Sequence, residues 1–370
     1  MATTSAVRAA NTRDCLVTLR EASSALTVGE IAAATSLSRP TVDAVLLDLV
    51  ATGVVTAAPL AVSGSAGRPA RRFAFDPSAG TVAALDIGAR SVRCLVTDLS
   101  GRTLSHTETA LSTTSPLGTL ESILRETGRT PNAVGLAVPG ILSPEGHLAQ
   151  SLAVPALVGL DLAGELSRRL DCPVHADNDI KLAALAEHQL GGDADSIVLI
   201  ELGHRISLAV ILDGKILQGA HHLAGELGSQ RGMRWTDTSV RGRLTWSTGE
   251  DAKPLLERAV TGDPAAQREI EGFCEQIAPR LATVLLTVDP ERVVIGGGLA
   301  RAGETLLGPL RRSLERLLMT EHSPEVVAAR ITTDGALVGA LGLAFTHGSA
   351  QIFGLPDVPA PWSRLLDARA

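Results

Sequence analysis

Ser38, Arg39 and Thr41 fall together at what reads as the first turn of a helix, and Arg68, Arg71 and Arg72 crowd a later stretch that reads as a hairpin. Hydroxyls and a guanidinium at a helix start can reach base edges, and arginines on a hairpin suit phosphates or a minor groove. The bland alternative is a small helical linker domain with solvated arginines. Further along, Asp86-Ile87-Gly88, Glu201-Leu202-Gly203 and Ile295-Gly296-Gly297-Gly298 each close a strand-like run with glycine. Such turns at strand ends are where α/β sheets receive ligands. Cys15, Cys94, Cys172 and Cys274 lie far apart with no CxxC pair, so neither structural zinc nor a disulfide framework is expected, and a reducing cytoplasm fits.

The elements that would position the first group are legible locally. Thr27 and Glu30 form a capping-box pattern opening a short helix over Val28–Thr35, with Ile31 on its apolar side. After a turn at Ser36-Leu37, Ser38 is a good N-cap and Pro40 sits in the first turn of a second helix. Val42, Val45, Leu46 and Leu49 then make one buried stripe, and Gly53 ends the helix. Cys15, Leu16 and Leu19 supply a third helix. Val54-Val55-Thr56 and Arg72-Phe73-Ala74-Phe75 read as strands flanking a flexible tip, Ser63–Gly67. Short helix, turn, longer helix and hairpin make a winged helix-turn-helix, which inserts its second helix into the major groove of duplex DNA. Asp43 and Asp48 oppose this only if they face the groove.

The 370 residues, 45% hydrophobic and 20% charged, exceed one core and are ordinary for a folded protein. No apolar run reaches the length of a membrane span, and the first residues lack a signal-peptide core. The formal charge of −7 hides a split: residues 1–80 hold seven arginines against six acids, leaving −8 for the remainder. Contact with nucleic acid is therefore expected at the N-terminus. In the body, Ala84–Gly88 continuing into Val92–Asp98 is echoed by Leu199–Gly203 continuing into Ile206–Leu212. A repeated strand-turn-strand predicts two related lobes. Helices are expected over Ile180–Leu190, Ala265–Val288 and Glu304–Leu318, and a buried strand over Val293-Val294-Ile295.

These pieces resemble, in order and over nearly the whole chain, the transcriptional regulators of the repressor–ORF–kinase (ROK) family. The matching motifs are LDIG at 85–88, GLAVPG at 135–140, DNDIKLAALAE at 177–187, DGKILQGAHHLAGELG at 213–228 and VVIGGGLARAGETLLGPLR at 293–311. The resemblance implies a winged helix-turn-helix head (mainly α) over 1–78 and an α/β two-lobed, actin- and hexokinase-like body. Its lobes would cover 79–195 and 196–349, with a proline-rich tail over 350–370 as an extended arm or loose end.

It also implies roles. In ROK kinases an acid of the first glycine loop serves a metal and small residues admit the phosphates. Here that loop is Asp86-Ile87-Gly88-Ala89-Arg90, and the second is Gly203-His204-Arg205-Ile206-Ser207, so bulky cations stand where a triphosphate would approach. Asp179 matches the catalytic base, Asn178 and Glu226 match sugar contacts, and His221 lies beside them. Asn178 and Asp179 equally suit the cap of the following helix. The family's zinc histidine is Ser229 here, its cysteines fall at Thr236, Thr238 and Arg243, and its second sugar glutamate falls at Thr245. Zinc is not expected, and Trp235 and Trp246 are expected to supply packing in its place.

The expectation is a cytoplasmic, sequence-specific regulator, a repressor, acting as a homodimer or homotetramer on double-stranded operator DNA. It has no enzyme activity, no cofactor and no membrane partner. Its body would receive a sugar or sugar-phosphate effector at Asn178, Asp179, Glu226 and His221. Arg90 and Arg205 would offer an anion contact, unless with His204 they pair with Asp86, Glu201 or surface acids. The alternatives are an active ROK sugar kinase and a regulator whose body binds no effector.

Overall fold

The computed structural model describes residues 4–58, 71–230, 232–240, 242–319 and 323–367. The head contains α1 (Thr4–Glu21), β1 (Leu26–Thr27), α2 (Val28–Thr35), α3 (Arg39–Ala51), β2 (Val55–Ala58) and β3 (Arg72–Phe75). Thr27 and Glu30 close both halves of the capping box. Ser36 takes the left-handed conformation in the turn, and Ser38 caps α3 with Pro40 in the first turn. Cys15, Leu16, Leu19, Ile31, Val42, Val45, Leu46, Leu49 and Phe73 are all buried. The strands form a sheet of order β1-β3-β2. This is the winged helix-turn-helix expected from the sequence. The tip Ser63–Gly67 lies outside the described residues.

The body continues with β4 (Thr81–Ile87), β5 (Ser91–Asp98), β6 (Thr103–Ala110), α4 (Pro116–Glu126), β7 (Ala133–Val138), β8 (Ile141–Leu142), β9 (Leu148–Gln150), α5 (Leu162–Leu170), β10 (Val174–Asn178) and α6 (Asp179–Gly191). There follow β11 (Ile197–Leu202), β12 (Ile206–Leu212), β13 (Lys215–Ile216), α7 (Lys253–Val260), α8 (Pro264–Val288), β14 (Arg292–Gly296), α9 (Glu304–Glu315), β15 (Glu325–Ala328), α10 (Gly335–His347), α11 (Ser349–Phe353) and α12 (Trp362–Asp367). Two five-stranded sheets run β6-β5-β4-β7-β10 and β13-β12-β11-β14-β15. The strand order is the same in both, so the repeated strand-turn-strand in the sequence marks a repeated sheet. Along β11, Val198, Ile200 and Leu202 join the core under α8 and α9, while Ile197 and Leu199 join the core under α6. A strand buried on both faces needs a continuous apolar run, and Ile197–Ile200 supplies it, the half-buried Glu201 falling near the strand end.

The chain divides into two compact units, each discontinuous. One comprises residues 1–136, 162–176 and 340–368, and the other is built of 137–161 and 177–339. The sequence predicts contiguous blocks at 1–78, 79–195, 196–349 and 350–370. The head instead shares a unit with the first sheet.

The tail is a correction as well. It is not a loose arm: Val358, Ala360, Leu365 and Leu366 are buried, and the Trp362 ring lies against Gly342, where an added Cβ would stand 1.9 Å from it. Apolar anchors spaced between the prolines hold it down.

His175, with its ring centroid 5.5 Å from that of His347, is held below the ordinary value of 6.5 by burial first and by His347 second. It stays neutral where the unfolded chain already takes up a proton, so its contribution is lost as pH falls through that interval. Between about pH 7.5 and 5.5 the Tm is expected to fall, and His175→Leu to flatten the fall; parallel profiles for the two proteins would contradict this.

Candidate functional site

The exposed start of α3 carries Arg39, whose guanidinium approaches Gly29 of α2; an added methyl there would sit 3.4 Å from it. Ser38 and Thr41 are engaged with each other: the Thr41 N–H donates to Ser38 Oγ at 3.3 Å, and the two hydroxyls stand 2.7 Å apart. Asp43 and Asp48 are both exposed, but Asp48 accepts from Arg8 at 2.5 Å, so α1 neutralises it. Arg71 is exposed with its guanidinium carbon 5.6 Å from the Phe73 ring centroid. Arg72 is also exposed but engaged, donating to the Ala25 carbonyl at 2.6 Å and lying 3.6 Å from Glu30. Arg68 lies outside the described residues.

In the second unit, β10 delivers Asp177 and Asn178 to the start of α6. Asn178 is the N-cap: its Oδ1 accepts from the Lys181 N–H at 3.1 Å, and its Nδ2 donates to the Gly140 carbonyl at 2.9 Å. The capping reading is therefore realised, whatever else Asn178 does. Asp179 Oδ1 accepts from the Ile180 N–H at 2.9 Å.

Sequence reasoning missed the centre of this cluster, Lys181. Its side chain is buried, the residue being 3% exposed, and Nζ donates to Gln218 Oε1 at 2.7 Å and to the His222 carbonyl at 3.1 Å. Gln218 Nε2 in turn donates to Asp177 Oδ2 at 2.6 Å. Burial pulls the Lys181 ammonium below its ordinary value while Asp177 and Glu226 oppose this. Burial raises the Glu226 carboxyl, and Lys181 together with a bond from Ser229 holds it back.

The loop bearing Glu226 is seated by Gly225, at φ +86, where an added Cβ would stand only 2.4 Å from the Leu208 carbonyl oxygen. His221 itself is exposed; the structure puts the neighbouring His222 carbonyl on the network. A signal for Lys181 existed: one cation in the otherwise apolar run Ile180–Ala184. Lys181→Met is expected to cost about 1–3 kcal/mol, because Gln218 and the His222 carbonyl lose a buried donor. Urea unfolding measures it, and an unchanged midpoint would show that the network carries no such weight.

The two glycine loops differ from the sequence reading. Asp86 is engaged by Arg93, not Arg90, with Arg93 Nε donating to Asp86 Oδ2 at 3.1 Å. The cause is register: Asp86 and Arg93 are opposite residues on antiparallel β4 and β5, while Arg90 is exposed in the turn. In the second loop His204 is exposed and its carbonyl accepts from the Leu244 N–H at 2.9 Å. Arg205 is half-buried, and burial and then Arg243 lower its guanidinium from its ordinary value.

The segment matching the family's zinc site does not fit a metal. Thr236 Oγ1 lies 2.7 Å from Ser239 Oγ, Thr238 and Thr245 exchange bonds between hydroxyl and carbonyl at 3.2 and 2.6 Å, and Arg243 pairs with Glu250. Among the described residues no three His, Cys, Asp or Glu side chains gather as metal ligands, and no helix is long and apolar enough to cross a membrane. Trp235 is buried at 1% exposure within the α8–α9 core, and the Trp246 ring stands 4.9 Å from Phe273.

The ROK family model matches residues 82–231 and 229–347, and the IclR helix-turn-helix domain model matches residues 11–59. The chain is 27% identical over 304 residues to the bifunctional enzyme NanE/NanK of Brucella melitensis, covering 76% of this chain and 57% of that protein. It thus spans little more than half of that relative. It is 28% identical over 247 residues to the glucokinase of Thermotoga maritima, covering 57% and 78%. Among solved structures, a ROK family transcriptional regulator, a homologue of the E. coli MLC protein, superposes with TM-score 0.71 at 18% identity over 98% of both chains. A ROK family glucokinase from Streptomyces griseus, in complex with glucose and AMPPNP, gives TM-score 0.61 at 22% identity over 72% of this chain and 99% of that one.

Proposed function

Because the chain belongs to the ROK family, we propose that it is a sequence-specific DNA-binding transcriptional regulator, a repressor, with a body that transfers no phosphoryl group. The observation that carries this reading is the winged helix-turn-helix, capped and packed ahead of the ROK body. Two heads of a homodimer or homotetramer would engage a palindromic operator, since closed symmetric assembly pairs identical surfaces. Arg39 reads bases from the start of α3, with Ser38 and Thr41 beside it. Arg68, Arg71 and Arg72 meet phosphates or a minor groove, Arg72 only after releasing Ala25.

The engagement of Asp86 by Arg93 and the half-buried Arg205 in the second loop support a non-catalytic body. Incubation with ATP and a panel of hexoses is expected to give no sugar phosphate. Turnover at ordinary enzyme rates, about 1 per second or faster, would favour the kinase instead.

The body receives a sugar or sugar derivative at Asn178, Asp179, Glu226 and His221, and Arg90 and Arg205 are candidate contacts for an anionic group. The supporting observation is the hydrogen-bonded cluster of half-buried polar groups around the buried Lys181, since planar amides and carboxylates match sugar hydroxyls. A ligand bound there would raise the Tm by mass action. A thermal-shift screen of sugars and sugar phosphates with no response would favour a body that serves assembly alone.

A further inference from the structure

The head is tied to the rest of its unit at three separated places. The connector is pinned: the Asp76 N–H donates to the Val54 carbonyl at 2.9 Å, and the Leu99 N–H donates to the Pro77 carbonyl at 3.0 Å. The end of α3 meets the tail where an added Cβ on Gly354 would touch Thr52 Cγ2 at 3.6 Å. At the end of α1, Arg20 Nη1 donates to the Pro359 carbonyl at 2.8 Å across 339 residues of sequence. The tail itself is anchored to the first sheet's unit, with Pro361, Arg364 and Leu365 against Gly101 and Trp362 against Gly342.

Arg20 is the unusual member. It is only 8% exposed, and burial lowers its guanidinium from its ordinary value, opposed by Glu21. Glu21 Oε1 lies 3.5 Å from Nε, yet Nε makes no hydrogen bond among the described residues. A leucine or methionine would fill this space without dehydrating a charge. What arginine adds is a rigid fork of donors that fixes a direction as well as a contact. The tail, read from the sequence as a loose end, thus serves as the strap to which the head is fastened.

We propose that Arg20 is a positioning residue for operator recognition: docked on the Pro359 carbonyl, it fixes the orientation of the head on its unit and so sets the half-site spacing at which paired heads bind DNA. The inference rests on the reading of the chain as a paired DNA-binding regulator.

The test uses full-length wild type, Arg20→Lys and Arg20→Met. The wild type first selects its site from a random duplex pool. The probes are that duplex, versions with the two half-sites moved apart in single base-pair steps across about one helical turn of 10.5 base pairs, and a duplex with one half-site. The wild type is expected to show a sharp optimum in Kd against spacing. Arg20→Met should flatten the ratio of best to worst spacing by roughly tenfold, the worth of one charge-assisted hydrogen bond. It should leave single half-site binding within about twofold, since the base-contacting residues are untouched. Arg20→Lys, which keeps a donor, should restore part of the optimum. A general weakening of the fold would lower single half-site binding too, which separates positioning from stability. Hydrogen exchange gives a readout without DNA: Arg20→Met should speed exchange in α1 and in residues 355–367, and unchanged exchange there would overturn the docking. A wild type that binds its site while Arg20→Met gives the same spacing profile overturns this inference alone. A wild type that selects no duplex overturns the regulator reading, and this inference with it.

Discussion

Arg39→Ala should weaken binding of the full-length chain to its operator roughly ten- to hundredfold and relax the preference for one base pair in each half-site. The size follows from position. Arg39 is exposed at the first turn of α3, the helix that enters the major groove in this motif, and the Ser38 cap and Pro40 fix the helix start beneath it. A bidentate guanidinium–guanine contact discriminates by about 1–3 kcal/mol, more than any phosphate contact in the wing. The exposed remainder of that face offers little else: Asp43, Ala44 and a 66% exposed Leu47, with Asp48 already tied to Arg8. Stability should change by less than about 0.5 kcal/mol, because Arg39 is on the surface. Ser38→Ala should behave differently, lowering helix stability by about 1 kcal/mol through the lost cap. Anisotropy on matched and base-substituted duplexes separates them, and an unchanged base preference for Arg39→Ala would remove that residue from the interface.

Trp235→Ala should destabilise the second unit by about 3–5 kcal/mol, and chelators should leave the wild-type Tm where it is. Where the resemblance to the ROK family implies a zinc site, this chain has hydroxyls that bond one another and a tryptophan buried in the same core as Leu244, Leu255, α8 and α9. Fastening that segment therefore falls to apolar burial and to the Thr238–Thr245 exchange. Removing the indole leaves a cavity that the surrounding helices cannot fill. Calorimetry with and without a chelator measures both halves, and a chelator-induced drop in Tm would show that a metal holds the segment after all.

The parts of this molecule that sequence revealed are those set by neighbours in the chain. The capping box, the Ser36 turn and the stripe Val42–Leu49 involve residues within a few positions of one another, so α2 emerged with both ends right. The repeated sheet was visible because buried strands need continuous apolar runs. The cluster around Lys181 was not, since Asp177, Lys181, Gln218 and Glu226 meet only after β12 and the following loop fold against α6. Arg93 could have been found: a turn between Ile87 and Val92 places residue 93 opposite residue 86. Arg90 stands exposed in that turn. The tail misled because prolines suggest an arm, while Val358 and Leu365 are buried, Leu365 against Gly101 far away in sequence, and the Trp362 ring lies against Gly342. Arg20 gave no local sign of its role for the same reason.

DNA binding by the head is decided by fluorescence anisotropy of the purified full-length chain on duplexes from its own upstream region, titrated with salt. Tight binding to a discrete duplex is expected, with affinity falling steeply and linearly in log–log form as salt rises, the mark of released phosphate counterions. Absence of binding to every duplex at low salt would contradict it.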